Sequence, residues 1–417
     1  MQSRSHLAVF ISLFLTLVID NMGVGLIFPV LGPLFVSAHS GMLPVNASIE
    51  MRDLFYSLTL GLFGVGMFVG APILGDLSDQ IGRKKVLLIC LLCTALAFAV
   101  SAVSISIHNV WLLLAARIFG GLMAGSMPIA QAAIIDISTP ENKIKNISLI
   151  TFALCFGFAI GPMVGGYFSN QALFPWFNYA TPFYAAALLA TINATCLLFS
   201  FRETFTPPEH IKLNLFKGLN LFADAFRHQK IRLLTLMLLL QQLGWALYFQ
   251  FVSLFLAQVY HYNSTHLGHF MSFCALWFGL ALLIIVRIFL RFFDEEILNT
   301  GCLFVIAAGL FGLVLFDSEK VQWILCIPIT TALAMGYTAS LTLLSNLVSR
   351  DEQGWIMGIA TSVMAAAWGI TGFLTGPLAM LGVHVPFIVS ALMMVGSIFL
   401  MLIYLNKHRE QKVINEN

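Results

Sequence analysis

The chain has 417 residues, 59% of them hydrophobic and 10% charged, whereas a soluble domain carries about 25% charged residues. Its 21 Lys+Arg and 19 Asp+Glu leave a formal net charge of +2, and the mean hydropathy is +0.92. So few charges cannot cover a water-exposed surface, so a soluble globule is excluded and an all-α integral membrane protein is expected; the lack of a basic cluster argues against nucleic-acid binding.

Crossing a bilayer takes about 20 mostly apolar residues. Twelve segments meet that length: 7–36, 51–74, 86–107, 111–135, 147–169, 181–201, 231–259, 267–290, 297–316, 322–348, 354–379 and 385–405. The first is too long for a signal-peptide core and contains Asp20, Pro29 and Pro33. Placing the N-terminus in the cytoplasm puts every Lys and Arg except Arg52, Arg117 and Lys320 at or beside an inside segment, so both termini are expected inside. Residues 202–230 form the longest polar stretch. It opens with Arg202, Glu203 and Pro207-Pro208, then carries Phe216, Leu219, Phe222, Ala223 and Phe226 on one face, flanked by Lys217 and Arg227. That pattern fits either a helix lying in the cytoplasmic interface or a plain connection.

The expected domains are thus a six-helix bundle over 1–201, a linker with an amphipathic helix over 202–230, a second six-helix bundle over 231–405 and a cytoplasmic tail over 406–417. An internal repeat supports the division: Gly157-Phe-Ala-Ile-Gly161-Pro162 in the fifth span and Gly372-Phe-Leu-Thr-Gly376-Pro377 in the eleventh. Each is the fifth span of its half. Repeats of this kind build many transporters, with the substrate site near the midplane.

Other chemistry is largely excluded. All seven cysteines lie in apolar runs and read as small buried hydrophobes, Cys90 and Cys93 included. No segment has the G-x-x-x-x-G-K-[ST] phosphate loop, so an ATP-driven pump is not expected, nor is a metal or a cofactor other than the proton as coupling ion.

Between the second and third spans runs Gly75-Asp76-Leu77-Ser78-Asp79-Gln80-Ile81-Gly82-Arg83-Lys84-Lys85, read as a short polar loop in which the glycines permit a tight turn. This string resembles the loop signature of the major facilitator superfamily. Arg117-Ile-Phe-Gly120-Gly121 is similar to the family's R-x-x-q-G motif, with Gly120 in place of the common Gln. Gly157, Gly161, Pro162, Gly165 and Gly166 match the pattern of its antiporters, and residues 19–31 are similar to the first span of tetracycline/proton antiporters. The loop between the eighth and ninth spans, Arg291 to Glu296, lacks a second copy of the loop signature.

The resemblance implies a gating latch in which Gly75 and Gly82 shape the turn, Asp79 sits at the N-terminus of the eleventh span near Gly354, and Arg83 pairs with Asp136. Asp20 and Arg117 are the two charges well inside the bilayer and are functional candidates by default. Either they form a permanent buried pair orienting the first and fourth spans, or Asp20 exchanges a proton while Arg117 tunes it. Apart from any family, small residues and Pro162 in the fifth span predict close packing against the other half, at the eighth span.

Substrate contacts are expected from Asn21, from Gln241, Gln242, Trp245 and Tyr248 in the seventh span, from Tyr337 and Ser340, and from Met364 and Trp368. These amide and aromatic groups suit a planar or amphipathic molecule. The resulting expectation is a monomeric, multi-pass secondary transporter of the plasma membrane, the bacterial inner membrane in particular. It would be no enzyme, and would export small organic molecules or drugs in exchange for protons. Uptake of a metabolite or siderophore is the alternative within the fold. A transporter-like sensor or scaffold is the alternative outside it.

Overall fold

A computed structural model describes residues 2–139, 142–201, 203, 217–349 and 352–416. Arg202, Lys212, Arg350, Pro207, Pro208 and Phe216 lie outside the described residues, as do the side chains of Arg4, Lys217, Arg409 and Lys412. Among the described residues there are twelve helical segments long and apolar enough to span a membrane, from Val9–Val36 to Val385–Lys407, each within about three residues of its expected bounds except the second, which runs on to Ile81.

In chain order the helices are α1 (Gln2–Val36), α2 (Ile49–Ile81), α3 (Arg83–Ser106), α4 (Val110–Leu122), α5 (Ser126–Asp136), α6 (Lys143–Phe168), α7 (Thr181–Ser200), α8 (Lys217–Arg227), α9 (Arg232–Val259), α10 (Ser264–Leu280), α11 (Val286–Phe289), α12 (Glu295–Leu315), α13 (Glu319–Asn346), α14 (Gln353–Leu381) and α15 (Val385–Glu416). The fourth span is α4 plus α5. The eighth is α10 and α11, joined by a π turn at Ala281–Ile285.

The expected loop over 75–85 is corrected. Residues 75–81 continue α2, and the connection to α3 is Gly82 alone, at φ +105. The polar side chains there satisfy one another within the helix: Ser78 Oγ donates to Gly75 O at 2.7 Å and Gln80 Nε2 to Asp76 Oδ2 at 2.9 Å. Only glycine tolerates the φ of position 82 without strain, so the chain reverses there and not at Gly75.

Two compact units emerge: Met1–Gly218 with Ser253–Leu276, and Leu219–Val252 with Trp277–Asn417. They cut across the division at 201 and 231, because the end of α9 and the start of α10 pack among the N-terminal helices. Ser253 Oγ donates to Phe28 O at 2.7 Å, and Thr265 Oγ1 to Gly166 O at 3.1 Å. The core of the first unit is a cluster of Leu13, Leu17, Leu87, Leu91, Ile134, Leu197 and Phe201 with their neighbours, all nearly solvent-free.

In the second unit, α12 packs on α13 and α15. The amphipathic α8 also belongs here. Its Phe222 and Phe226 rings lie 5.0 Å apart, and His228, just beyond it, stacks edge-on against Trp355 of α14 at 5.4 Å.

Candidate functional site

Asp20 lies on α1, where it faces a cavity of about 90 Å³ whose walls include Asn21, Phe63, Thr94, Arg117 and Ser126. This volume holds a few waters, but falls short of the roughly 300–1,000 Å³ of an organic-ligand pocket. The break in the fourth span builds one wall. Gly66, Gly70 and Gly121 bring α2 and α4 to backbone contact: a Cβ on Gly70 would stand 2.0 Å from Leu122 O. The helix then interrupts over 123–125 and restarts at Ser126, whose side chain is the hydrogen-bond partner of Asp20. Asp20 Oδ2 is shut away with no hydrogen-bond partner, as is Thr94 Oγ1.

Arg117 is 6% exposed and is held by α2. Its Nε donates to Thr59 O at 3.3 Å, and the guanidinium lies 4.2 Å from the centre of the Phe63 ring. Asp20 and Arg117 share the cavity without forming an ion pair. The permanent pair weighed from the sequence is therefore absent from this structure, because a carbonyl and a ring face occupy the Arg117 head instead. Asn21 Nδ2 donates to Leu17 O at 3.1 Å and contacts Met127 Sδ at 3.5 Å.

The glycine motif of α6 meets two helices. Gly157, Gly161 and Gly165 repeat every four residues on one helix face, and that face meets α1: added Cβ atoms would stand 2.3 Å from Val18 O, 2.5 Å from Met22 O and 2.2 Å from Leu26 O. Pro162 packs against Gly25 of the same helix. Gly166, one position round the helix, faces the start of the eighth span, where its Cβ would stand 2.5 Å from Ser264 O, and Gly268 of that span closes on Pro162, where a Cβ would stand 2.5 Å from Pro162 O. The expected packing against the eighth span is thus present, at Pro162 and Gly166. The Gly157, Gly161 and Gly165 face in addition clamps α6 onto the helix that carries Asp20.

At the basic end of the first unit, Arg83 bridges Asp79 (2.7 Å) and Asp136 (3.0 Å) and also donates to Ser78 Oγ at 3.1 Å. Sequence reasoning overlooked the residue that completes this cluster. Glu203 accepts from the backbone N–H groups of Arg83 (2.9 Å) and Lys84 (3.1 Å), so a carboxylate caps the positive end of α3. A Cβ on Gly82 would strike Glu203 Oε2 at 2.4 Å, a second reason for glycine there.

Residues 13–372 match the family model of the Major Facilitator Superfamily. The chain belongs to this superfamily. Across 392 residues it is 28% identical to the class C tetracycline resistance protein of Escherichia coli, covering 92% of this chain and 91% of the relative. Multidrug resistance protein 2 of Bacillus subtilis (strain 168) is 22% identical over 414 residues, 98% of each chain. The crystal structure of the human organic anion transporter MFSD10 superposes with a TM-score of 0.70 at 22% identity, covering 95% of this chain and 99% of that one. A D-xylose–proton symporter gives 0.73 at 15% identity, covering 95% and 97%; these two show a shared fold. The protein is a multi-pass membrane transporter and not an enzyme.

In the second unit of this major facilitator protein, the expected substrate residues separate into two groups. Trp245, Tyr248 and Trp368 join Phe249 and Phe387 in one aromatic cluster, with ring centres 5.3–6.0 Å apart along Trp245–Phe249, Trp245–Tyr248, Tyr248–Phe387 and Phe249–Trp368. Gln241 instead lies fully buried in a brace between helices: Ser340 Oγ donates to Gln241 Oε1 at 2.8 Å, while Asn299 Nδ2 donates to Ser340 Oγ (2.6 Å) and Gly336 O (2.9 Å). Gln242 is buried, and Tyr337 and Met364 are half-buried. Asn299 was missed, although an amide in the apolar run of the ninth span was a visible signal. Phe63 gave none. Among the described residues no group of three or more His, Cys, Asp or Glu could hold a metal.

Proposed function

We propose that this transporter exports small organic molecules in exchange for protons by alternating access, with Asp20 as the proton carrier and the basic end, at Arg83, in the cytoplasm. The observation that carries the reading is Asp20 in its water-sized cavity, one oxygen without a partner and Arg117 present but unpaired. An ionised carboxylate enclosed without a cation is costly and its acid form is not, so enclosing and opening such a group moves a proton. A guanidinium sharing the cavity can favour the ionised form whenever it swings off Thr59 and Phe63.

The tetracycline and multidrug resistance proteins among its relatives support efflux as the task. The aromatic cluster around Trp245, Tyr248 and Trp368 supplies flat apolar faces suited to a ring-bearing, amphipathic substrate. The cluster of Asp79, Arg83, Asp136 and Glu203 holds the turn at the cytoplasmic end of α2 and α3 in one geometry.

The test is reconstitution into liposomes with an imposed pH gradient, following tetracycline and a cationic dye together with lumenal pH. Substrate movement should follow the gradient and dissipate it, and Asp20→Asn should abolish the coupling while leaving the protein inserted. Flux indifferent to the gradient and unchanged in Asp20→Asn would defeat the proposal.

A further inference from the structure

At the end of the first unit opposite Arg83, two adjacent charged residues open α2, and both are buried. Arg52 is 7% exposed and Asp53 2%. They do not serve each other. Arg52 commits its donors to backbone carbonyls of the preceding turn: Nε to Ala47 O (3.2 Å), Nη1 to Phe35 O (2.9 Å) and Ser37 O (3.3 Å), Nη2 to Pro44 O (3.2 Å) and Val45 O (3.3 Å). A guanidinium has five N–H donors, and five contacts occupy it.

Asp53, turned about 100° round the helix from Arg52, faces the end of α9. Gln258 Nε2 donates to its Oδ1 at 2.6 Å, and among the described residues no ion pair reaches it. The titratable groups acting on it are Glu50 and Tyr56, both on α2. From α9 it meets the neutral amide of Gln258. Two further contacts tie the same segments together. Tyr56 has Ser253 of α9 as its side-chain hydrogen-bond partner, and Gly32 of α1 lets the chain lie against Ser253, where a Cβ would stand 3.0 Å from its carbonyl oxygen.

We propose that Asp53 is a second proton-dependent residue of the transport cycle, a positioning residue that must be protonated for α2 to close on the 253–262 segment. An ionised Asp53 in this enclosure is a buried charge with no ion-pair partner among the described residues. The acid form still accepts from Gln258 Nε2 at its carbonyl oxygen and carries no such penalty. When the segments part, water reaches the carboxyl and the proton returns to the solution on that side. When they close, the proton is taken from the same solution. Closure at this end is therefore favoured by acid there, while Asp20 carries the transported proton. The naming of this end as the outside and the role of Asp20 rest on the function proposed above; the closure on Asp53 does not.

Hydrogen-exchange mass spectrometry on the full chain in nanodiscs reads the closure directly. Peptides covering 49–60 and 253–262 are compared at about pH 5.5 and 8.5 after correction for the intrinsic exchange rate. Above the titration of Asp53, opening should rise by up to about tenfold per pH unit. Asp53→Asn keeps an amide facing Gln258 and removes the ionisable group, so these peptides should stay protected at both pH values. Should that variant fold poorly, Asp53→Ser is read in the same way. Glu50→Gln should keep the wild-type response. Exchange in the wild type that ignores pH, or a pH response that survives in Asp53→Asn and Asp53→Ser, overturns the proposal. Asp20→Asn separates the two readings: it should lose gradient-driven flux yet retain the pH response of these peptides. Flux independent of the gradient with that response intact would defeat antiport alone.

Discussion

Replacing Gly161 by alanine should weaken the first unit, and the size of the effect follows from the α1–α6 contact. A Cβ at Gly161 would stand 2.5 Å from Met22 O and 3.0 Å from both Gly25 Cα and Leu26 N. All three are backbone atoms, so no side chain can rotate away. Reaching ordinary contact requires the helices to part by about 0.9 Å, and a gap of ~0.5–1 Å already forfeits a quarter to a half of each van der Waals contact along the seam. Overpacking of this kind costs about 1–3 kcal/mol, offset by the ~0.5–1 kcal/mol that alanine gains over glycine within a helix. The net loss is about 0–2.5 kcal/mol, centred a little above 1. Gly75→Ala is the internal control, since among the described residues nothing lies within 4 Å of a Cβ there and the helix gain stands alone. Reversible unfolding in mixed micelles, titrated with sodium dodecyl sulfate, should place the two variants on opposite sides of wild type. Equal stabilities for both would refute the argument that backbone contact, and not glycine composition, is what the motif supplies.

Glu203→Ala should uncap α3, leaving the N–H groups of Arg83 and Lys84 without their acceptor, at a cost of about 0.5–2 kcal/mol; faster exchange of the amides at 83–86 checks it. Asp136→Asn should cost less, within about 1 kcal/mol, because Arg83 retains Asp79 and the Asp136 side chain is 27% exposed. Asn299→Ala removes the donor to Ser340 and Gly336 inside the second unit and should cost about 1–3 kcal/mol, with a coupling of ~0.5–3 kcal/mol to Ser340→Ala in a double-mutant cycle.

Twelve spans were legible because hydropathy is a local property: each segment must satisfy its own backbone in the bilayer, whatever its neighbours do. Arg83 and Asp136 were legible through a motif. Arg117 was legible as a buried charge, but its partner was not. Whether it met Asp20 depended on α2, which offers Thr59 O and the Phe63 ring nearly sixty residues away in sequence. The small residues of the fifth span announced a close helix approach and pointed to the eighth span; Pro162 and Gly166 meet that span, while Gly157, Gly161 and Gly165 meet α1, a partner the spacing did not name.

The few charges of this chain mark the division between what sequence and tertiary structure each decide. The sequence by itself determined the membrane class, the number and approximate places of the spans and the motifs that identify the family. All of these rest on composition and on residues near one another along the chain. The tertiary structure alone decided which side chains share an enclosure. It left Asp20 and Arg117 in one cavity without a bond, brought Glu203 to the start of α3, and buried Asp53 against Gln258 while its neighbour Arg52 turned to the chain behind it. The physical reason is that the cost of a buried charge depends on the atoms packed around it, and those atoms come from helices that the linear order keeps far apart.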